Sequence, residues 1–459
     1  MMEAPIKDGV VSSPYPPVEL IQDETLYQHI QKRFLEHGDK PALERNGELL
    51  TFADVLSLIE RYAIGFQRYG VSSGSRVCVS AANSAESLIA AYSLCCLGAT
   101  VVLVKTTLPE HPTPDFVCVR DFERNDCSEF QAPRIEDTKN HIMLQVYTSG
   151  TTGLPKALEI SMYAYITKVE YSRATEFFED KDVVLEWNPL THMCGFVIPM
   201  IAFLTGAMVV PSTGGLSPKE FVEIVNKHQP SRERRKVFEL ESLRNGYGMS
   251  EAIGFICMTA PKTTGYRSVG YPVPMAEYKI IDNASGRTLG PLEVGEITFR
   301  APHLMRGYYK RPDETAQVFD EQRWFRSGDA GYYDRTGQLY IVERLKDMIK
   351  CLDQQVAPAE LEALLTQHPL VLEAAVVGID HPEFGEAPTA FVVIEPSAKG
   401  LVSEDELVRL VSDQTAFHKN LHGGVVFVDI IPKTDTGKYI RRKLRQGHLD
   451  LLKKSCYQP

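Results

Sequence analysis

The stretch YTSGTTGLPKAL, residues 147–158, decides the fold and the chemistry that this sequence can support. From Tyr147 to Lys156 it holds four Ser/Thr hydroxyls, two glycines and one lysine. Glycines allow backbone N–H groups to turn inward, hydroxyls add neutral donors, and the lysine adds a positive charge. The apolar run 142–146 enters the stretch like a strand. We therefore expect a loop that binds a polyphosphate, with a flexible Ser/Thr/Gly linker as the alternative.

The glycine spacing distinguishes this loop from the Walker A loop of P-loop ATPases. The Walker pattern is G-x-x-x-x-G-K-[ST]. Here Gly150 and Gly153 are separated by only two residues, and Ala157 follows Lys156. A kinase or P-loop NTPase is therefore disfavoured.

Composition limits the class of partner. The chain has 459 residues, of which 44% are hydrophobic, and can build more than one core. Its 49 basic and 60 acidic residues give a net charge of −11, which argues against a nucleic-acid-binding surface. The nine cysteines include no C-x-x-C pair, and no histidine lies at metal-ligand spacing. We expect a reduced, intracellular compartment, with neither zinc nor disulfides.

The termini and the two long apolar runs predict neither an organelle address nor a membrane span. The N-terminal MMEAPIKDGVVSSPYPP lacks the apolar core of a signal peptide, and the C-terminal SCYQP differs from the Ser-Lys-Leu peroxisomal signal. Residues 88–104 and 193–210 are just long enough to span a bilayer, but each is interrupted by a glycine. Both runs are typical of a buried helix followed by Gly-Ala and a β-branched core strand. We therefore expect a cytoplasmic protein.

The order of the segments predicts two domains. Residues 20–105 alternate helix-like and strand-like segments, and from about residue 265 short strands and turns take over. After Arg344 we expect helices over 357–367 and 404–417 and strands over 373–379, 387–394 and 425–428. This part is a compact α+β unit. The segment ERLKDMIK is its predicted junction.

The segment NGYGMSEA, residues 245–252, places an aromatic ring, a hydroxyl and a carboxylate close together. Tyr247 could stack on a flat base, Ser250 could reach a phosphate, and Glu251 could bind Mg²⁺. A turn followed by a buried strand is an equal alternative.

Three further residues have a functional interpretation and a structural one. Asp329, in WFRSGDAGYYD, is expected in a tight Gly-flanked turn that suits ribose hydroxyls, or as an ordinary acidic turn residue. Lys438, in PKTDTGKYIRRKLR, lies on a Gly-containing loop before a basic helix, where a surface lysine is the commoner case. His192, in NPLTHMCGF, lies beside an apolar run and on its own is typical of a core histidine.

Taken in order, five segments resemble the adenylate-forming (ANL) superfamily of acyl-CoA synthetases, 4-coumarate–CoA ligase-like enzymes and beetle luciferases. They are YTSGTTGLPKAL, GYGMSEA, MRGYYKRPDETAQVF, WFRSGDAGYYD and PKTDTGKYIRRKLR, and the resemblance runs from about Glu24 to Arg445. It implies an α/β fold, with a large multi-sheet N-terminal adenylating domain (1–344) and a smaller, mobile α+β C-terminal domain (345–459).

The resemblance also implies a reaction and its partners. A small-molecule carboxylic acid, fatty or aryl and phenylpropanoid-like, would be activated by ATP with Mg²⁺ to an acyl-adenylate. The acyl group would then form a thioester with CoA. A peroxisomal location is the alternative that the family allows, although the C-terminal signal is not found here.

The resemblance assigns roles residue by residue. Lys438 would bridge the carboxylate and the α-phosphate, His192 would lie at the acyl pocket, and Glu251 would bind Mg²⁺. Lys346 would also lie at the hinge of the small domain. The residues expected to contact ATP are Thr148, Ser149, Gly150, Thr151, Thr152, Gly153, Lys156, Tyr247, Gly248, Met249, Ser250, Asp329, Arg344, Lys346, Lys350 and Gln355.

The sequence departs from the family pattern at two places that shorten it. The N-terminal domain is truncated near 109–140 and at 230–231, where EFVEIVNKHQP runs directly into SRERRK. Relatives carry there an acyl-pocket strand and helix and a small-residue segment that lines the adenine site. Removing a central strand would expose sheet edges. The alternative function is therefore an impaired pseudoenzyme, or a splice or gene-model variant, that retains only phosphate binding.

A third departure concerns CoA. Relatives typically have Lys-Gly where this chain has Leu352 and Asp353. Asp353 adds a carboxylate where the phosphates of CoA would approach, and its Cβ narrows a path that glycine leaves open. CoA is therefore the more doubtful co-substrate, and Leu352 also weakens a luciferase-type oxidation.

Overall fold

A computed structural model describes residues 2–19, 24–105, 117–148, 156–212, 217–228, 244–263, 267–398, 400–434 and 437–447. Within these ranges the strands are β1 (Ile6–Lys7), β2 (Val10–Ser12), β3 (Pro41–Arg45), β4 (Glu48–Thr51), β5 (Arg76–Ala81), β6 (Thr100–Lys105), β7 (Ile142–Tyr147), β8 (Ala157–Ser161), β9 (Val183–Glu186), β10 (Met208–Pro211), β11 (Gly246–Met249), β12 (Gly254–Met258), β13 (Tyr271–Pro272), β14 (Glu277–Ile281), β15 (Gly295–Arg300), β16 (Gly307–Tyr308), β17 (Phe325–Tyr333), β18 (Leu339–Arg344), β19 (Ile349–Cys351), β20 (Gln354–Val356), β21 (Val371–His381), β22 (Gly385–Ile394) and β23 (Val425–Phe427).

The helices in the same ranges are α1 (Leu26–His37), α2 (Phe52–Arg68), α3 (Ala85–Cys96), α4 (Met162–Ala174), α5 (Met193–Thr205), α6 (Pro218–His228), α7 (Pro312–Val318), α8 (Pro358–Leu365) and α9 (Glu404–Ser412). Residues 441–447 are also helical. The mixed α/β class predicted from the sequence is confirmed.

The chain divides into two compact units. Unit 1 comprises residues 1–279, 298–326 and 333–340, and unit 2 comprises 280–297, 327–332 and 341–459. Unit 2 therefore also contains residues 280–297 and 327–332, which precede the predicted junction. The domain boundary between residues 344 and 345 stays a prediction.

A five-stranded sheet of unit 1 carries both ends of the predicted phosphate loop. Its strand order is β16-β8-β7-β6-β5, in which β5, β6 and β7 are parallel and β8 and β16 are antiparallel additions. The apolar helix α3 leads from β5 to β6, as expected for a parallel pair. The largely buried strand β7 ends at Tyr147, and the predicted phosphate loop follows it.

A second sheet of unit 1 has the order β4-β3-β10-β9, with β3, β10 and β9 parallel. The apolar run 193–210 forms α5 and β10, separated by Gly206 in the left-handed conformation. The run 88–104 likewise forms most of α3 and β6. Both runs are therefore helix–strand pairs, as predicted. Within the described ranges, no helix combines the length and the apolar character that crossing a bilayer requires.

Helix α4 is buried along most of its length. Ser161 caps its N-terminus by accepting a hydrogen bond from the backbone N–H of Ala164 at 3.2 Å. Every residue from Tyr165 to Ser172 is buried, including the charged Lys168 and Glu170. A helix that is buried on all sides must satisfy its polar groups internally.

Unit 2 contains a five-stranded sheet in which β20, β19, β22 and β21 are adjacent and β23 pairs with β22. The long antiparallel pair β21 and β22 forms its centre. Helices α8 and α9 contribute Leu361, Leu365 and Leu407 to an apolar core with these strands. The α+β character predicted for this part of the chain is confirmed. Helix α9 ends at Ser412, however, five residues before the predicted end.

Candidate functional site

The phosphate-loop stretch is a hairpin whose two ends are fixed to each other. Strands β7 and β8 pair so that Tyr147 lies opposite Ala157. One residue further in, the backbone N–H of Thr148 donates to the carbonyl of Lys156 at 2.9 Å, and the N–H of Lys156 donates to Oγ1 of Thr148 at 3.3 Å. The predicted phosphate ligands between them, Ser149, Gly150, Thr151, Thr152 and Gly153, lie outside the described residues.

Lys156 has an anionic partner in this structure. Its Nζ lies 2.6 Å from Oε2 of Glu314 on α7, and this hydrogen bond holds the pKa of the Glu314 carboxyl below its ordinary value. The same Nζ lies 4.8 Å from the centroid of the Tyr308 ring, within range of a cation–π interaction. The side chains of Lys156 and Glu314 are 37% and 27% exposed. The ammonium is thus positioned at the surface by a ring on one side and a carboxylate on the other.

Tyr308 connects this lysine to the candidate magnesium ligand. Its hydroxyl donates to Oε1 of Glu251 at 3.1 Å. Burial raises the pKa of Tyr308 well above its ordinary value, and the nearby Glu251 carboxylate raises it further. The phenol therefore keeps its proton and acts as the donor. Oε2 of Glu251 makes no hydrogen bond to any described residue, so one carboxylate oxygen is available to a ligand.

The backbone of Tyr308 is held as firmly as its ring. It lies on β16, opposite Leu158 of β8, directly after the phosphate loop. Its N–H donates to Oγ1 of Thr315 at 2.9 Å. A Cβ on Gly307 would lie 2.8 Å from Cγ2 of Thr315, so a larger residue there would require the Thr315 side chain to move. Strand pairing therefore places Tyr308 next to the loop end.

The segment that carries Glu251 begins as a strand. Tyr247, Gly248 and Met249 lie on β11, and Ser250 and Glu251 lie in the short helical turn Ser250–Ala252. A Cβ on Gly248 would lie 1.9 Å from the carbonyl oxygen of Gly254, so this close approach of β11 and β12 requires glycine. Tyr247 is 8% exposed. Its stacking on adenine stays a prediction.

His192 occupies a helix terminus. It is the N-cap of α5, and its Nδ1 accepts a hydrogen bond from the backbone N–H of Cys194 at 3.3 Å. Partial exposure places it at the border of the core instead of inside it. The predicted role of His192 at an acyl pocket stays a prediction.

In unit 2 the structure brings together four predicted residues. Nε of Arg344 lies 3.3 Å from Oδ1 of Asp329, whose side chain is 7% exposed. Burial lowers the pKa of Lys346, and the charges of Arg344 and Lys438 lower it further. Arg344 is therefore paired with Asp329, and Lys346 is close enough to Arg344, Asp329 and Lys438 for their charges to act on it. Residues that are more than a hundred positions apart in the sequence meet in this unit.

The expectation that Asp329 lies in a tight turn was wrong. Asp329 lies within the long strand β17, and the preceding Gly328 has a φ of +70°, a conformation that favours glycine. The glycine therefore interrupts the strand without reversing it. Its N–H donates to Oε1 of Glu296 at 3.1 Å, which fixes the irregular backbone before Asp329.

Lys438 is presented by a small hairpin. The N–H of Thr434 donates to the carbonyl of Lys438 at 2.8 Å, and the N–H of Lys438 donates to Oγ1 of Thr434 at 3.2 Å. Three residues later Arg441 is anchored to Glu362 of α8 and to the carbonyl of Val376. The lysine is exposed, whereas the helix that follows it is fixed to the core of unit 2.

The remaining predicted ATP contacts lie on another hairpin of unit 2. Lys350 on β19 and Gln355 on β20 are direct cross-strand partners. Between these strands Leu352 and Asp353 form a two-residue turn, and both have a left-handed backbone, with φ of 51° and 58°. The Lys-Gly departure noted in the sequence therefore falls on a strained turn.

Sequence reasoning missed three residues of unit 1, namely Tyr308, Glu314 and Lys168. Tyr308 and Glu314 lie in MRGYYKRPDETAQVF, a motif that carried the resemblance but to which no role was given. Lys168 had no signal at all, because nothing in a buried helix pattern distinguishes a lysine that faces the core. Within the described residues, no group of three or more His, Cys, Asp or Glu side chains could hold a metal ion by itself.

The fold and these contacts define an α/β protein in which the β7–β8 hairpin carries a lysine paired with a carboxylate. Family models identify it further. The AMP-binding enzyme model matches residues 30–113, 112–232 and 231–309, and the AMP-binding enzyme C-terminal domain model matches residues 360–438. The chain therefore belongs to the AMP-binding enzyme family, the adenylate-forming enzymes of the ANL superfamily.

Curated relatives agree with this family. Luciferin 4-monooxygenase from Nipponoluciola cruciata is 32% identical over 402 residues, covering 76% of this chain and 72% of the relative. 4-Coumarate–CoA ligase 5 from Oryza sativa subsp. japonica is 30% identical over 531 residues, covering 95% and 97%. The chain is similar both to ligases and to luciferases.

A solved structure shows the same fold. ATP-bound MatB from Rhodopseudomonas palustris superposes with a TM-score of 0.80 at 20% identity, covering 93% of this chain and 99% of that protein. An o-succinylbenzoate CoA synthetase from Bacillus subtilis, solved with ATP and a magnesium ion, gives a TM-score of 0.76 at 22% identity, covering 91% and 99%.

Proposed function

We propose that this protein activates a carboxylic acid with ATP, releasing pyrophosphate, and transfers the acyl group to the thiol of CoA. The observation that carries the first half is Tyr308, which contacts both Lys156, at the end of the predicted phosphate loop, and Glu251, whose second carboxylate oxygen has no hydrogen bond to a described residue. A cation and a metal-binding carboxylate beside each other suit the β- and γ-phosphates of ATP. Membership of the AMP-binding enzyme family supports the same reaction class.

The residues fit magnesium at Glu251. Mg²⁺ in nucleotide sites is commonly bound by one or two carboxylates together with phosphate oxygens, so a full cage of protein ligands is not required. Tyr308 occupies one oxygen of Glu251 and fixes its direction, while the other oxygen makes no contact with a described residue. When bound, the ion would neutralise charge on the triphosphate.

We assign the other roles as follows. Lys156 and the loop that it closes would bind the β- and γ-phosphates. Asp329 and Arg344 would bind the ribose hydroxyls. Lys438 would stabilise negative charge as a carboxylate oxygen bonds to the α-phosphorus and the bond to pyrophosphate breaks. His192 would border the acyl group.

We also infer that two internal segments of the N-terminal domain are missing, near 109–140 and at 230–231. The match to 4-coumarate–CoA ligase 5 extends over 531 positions, more than the 459 residues of this chain, so the relative carries residues that have no counterpart here. The three stretches that match the family model meet at residues 112–113 and 231–232.

An open sheet edge supports the second missing segment. In the described part of the chain, β9 is the last strand of its parallel sheet. Val183 is 41% exposed and Trp187, which follows the strand, is 52% exposed. Parallel sheets are normally covered, so a further strand beside β9 is expected in relatives.

The acceptor is the second half of the proposal. The 4-coumarate–CoA ligase relatives support CoA, whereas Leu352 and Asp353 weaken it. We propose a fatty or aryl acid as substrate and a cytoplasmic location.

Carboxylate-dependent release of pyrophosphate tests the activation step. The intact protein is incubated with Mg-ATP and a panel of fatty and aryl acids, and acyl-CoA is then sought after addition of CoA. We expect Lys438→Ala to abolish release while ATP binding, measured by calorimetry, is retained. Lys443→Ala, an exposed lysine on the following helix, is the matched control and should release pyrophosphate normally.

Two results would contradict the proposal. If the folded protein releases no pyrophosphate with any acid, the activation step is refuted and a phosphate-binding pseudoenzyme takes its place. If pyrophosphate is released but no acyl-CoA forms, only the CoA step is refuted.

A further inference from the structure

Lys168 is a buried lysine that has no carboxylate partner among the described residues. It lies in the middle of α4 and is 1% exposed. Among the described residues its ammonium has one hydrogen-bond acceptor, the carbonyl oxygen of Phe255 at 2.5 Å. An ammonium has three N–H donors, and lysine is almost never fully buried unless it is paired. When Lys168 is protonated, two of its N–H donors therefore have no acceptor among the described residues.

The surroundings of Lys168 are basic instead of acidic. Burial lowers its pKa to about 7, and among the described residues the titratable groups that favour its charge are the thiols of Cys194 and Cys257. His303 is fully buried, and neither of its ring nitrogens has a hydrogen-bond partner among the described residues. Burial lowers the pKa of His303 and the charge of Lys168 lowers it further, while the nearby backbone of Phe255, short of a well-formed hydrogen bond, raises it. Within the part of the chain that the structure describes, the cluster thus offers N–H donors and, when Lys168 is protonated, a positive charge, but it holds no anion.

The position of this cluster relates it to the candidate site of unit 1. A Cβ on Gly254 would lie 3.7 Å from Cε of Lys168 and 4.0 Å from Cγ1 of Val197. Gly254 comes three residues after Glu251, and Val197 lies on α5, the helix capped by His192. The lysine stem therefore lies between the segment that carries the metal-binding carboxylate and the helix assigned to the acyl group.

We propose that Lys168, together with His303, binds a second carboxylate of the acyl substrate, so that the acid activated is a dicarboxylic acid. This inference rests on the proposed function and names its substrate class. The second carboxylate would supply the anion that the described residues lack and would accept the unused N–H donors. A site built around a buried charge rejects a ligand without the complementary group, because the charge is then left unpaired.

A structural role and a binding role of Lys168 predict opposite effects of its substitution on stability. If Lys168 stabilised the fold, Lys168→Met would unfold more easily than the wild type. If Lys168 is a binding residue, the apolar substitution of similar length removes an uncompensated buried charge and should leave the protein as stable or more stable. The stability of Lys168→Met therefore separates the two roles without any substrate.

The main test compares acids of matched chain length. Pyrophosphate release by the intact protein with Mg-ATP is measured for a monocarboxylic acid, its ω-hydroxy derivative and the corresponding dicarboxylic acid. We expect the dicarboxylic acid to give kcat/KM about 100-fold above the other two acids. Lys168→Met should remove this preference, and Lys168→Arg, which keeps the charge, should retain part of it. Lys219→Met, an exposed lysine on α6, is the control and should behave as wild type.

Three outcomes would overturn the inference. They are equal or higher rates with the monocarboxylic or hydroxy acid, an unchanged preference in Lys168→Met, and a lowered unfolding temperature of Lys168→Met. Absence of release with every acid is a failure of the proposed function instead. In that case calorimetric binding of the dicarboxylic acid to wild type and to Lys168→Met decides the matter, and no binding to wild type overturns the inference as well.

Discussion

The turn formed by Leu352 and Asp353 gives a quantitative test of local strain. Both residues have positive φ, and they join β19 to β20 where Cys351 lies opposite Gln354. Two left-handed residues in a two-residue loop form a type I′ turn, which strongly prefers Asn-Gly. Leucine has a Cβ that collides with the following carbonyl in this conformation, at a cost of roughly 1–2 kcal/mol.

The comparison of Leu352→Gly with Leu352→Ala isolates this strain. Both variants lose the same atoms beyond Cβ from a side chain that is 38% exposed, and only the glycine variant also loses Cβ. At an ordinary position glycine is less stable than alanine by roughly 0.5–1 kcal/mol, because its unfolded chain has more conformations. At Leu352 the steric relief exceeds that loss, so we expect the glycine variant to be more stable by about 1 kcal/mol.

Hydrogen exchange of the β19 and β20 amides in the full-length protein measures this difference locally. One kcal/mol corresponds to about fivefold slower exchange in Leu352→Gly than in Leu352→Ala. The same pair of substitutions at Leu401, which is 72% exposed and has no positive φ, should give the ordinary order with alanine more stable. If alanine is also the more stable residue at position 352, the turn is not left-handed and the reasoning fails.

Two further predictions concern unit 1. Tyr308→Phe removes only the hydroxyl that orients Glu251, so pyrophosphate release should fall about tenfold. The control Tyr309→Phe changes a neighbouring tyrosine outside this contact and should have little effect. Equal rates in the two variants would show that Tyr308 does not orient Glu251. Burial raises the pKa of Glu186 from 4.5 to about 7. The unfolded chain therefore releases this proton at lower pH than the folded protein, and stability falls as the pH rises from 4.5 to 7. In urea denaturation at pH 8, the free energy of unfolding of Glu186→Gln should exceed that of wild type by roughly 3 kcal/mol, and at pH 4 the two proteins should be equally stable. An equal difference at both pH values would show that Glu186 does not have a raised pKa.

Much of the fold could be predicted from sequence, because its cues are local. A glycine between an apolar helix and a β-branched strand was sufficient to predict α5 and β10, and the apolar run before residue 147 was sufficient to predict β7. Capping also acts over a few residues, as Ser161 does at α4. Patterns of this kind depend on neighbours in the chain, which the sequence displays directly.

The contacts of the candidate site could not be predicted in the same way. Glu251 and Tyr308 are 57 positions apart, and their hydrogen bond depends on how β16 pairs with β8. Asp329 was expected in a turn because two glycines flank it, yet strand pairing overrides that local preference. The charge of Lys168 contradicts its buried position, and such conflicts concentrate at functional sites.

The ion pair of Lys156 and Glu314 has a consequence for which ligands this lysine can distinguish. The ammonium of Lys156 is already paired with the Glu314 carboxylate, so a ligand must displace this carboxylate in order to bind the ammonium. A ligand with a single negative charge would exchange one monoanion for another, with little net Coulomb gain. A phosphate chain carries more charge on neighbouring oxygens and does gain from the exchange. Released Glu314 is not left unpaired, because Nη1 of Arg311 already lies 2.9 Å from its Oε1. The pair thus favours polyanions over the free carboxylic acids with which they would compete.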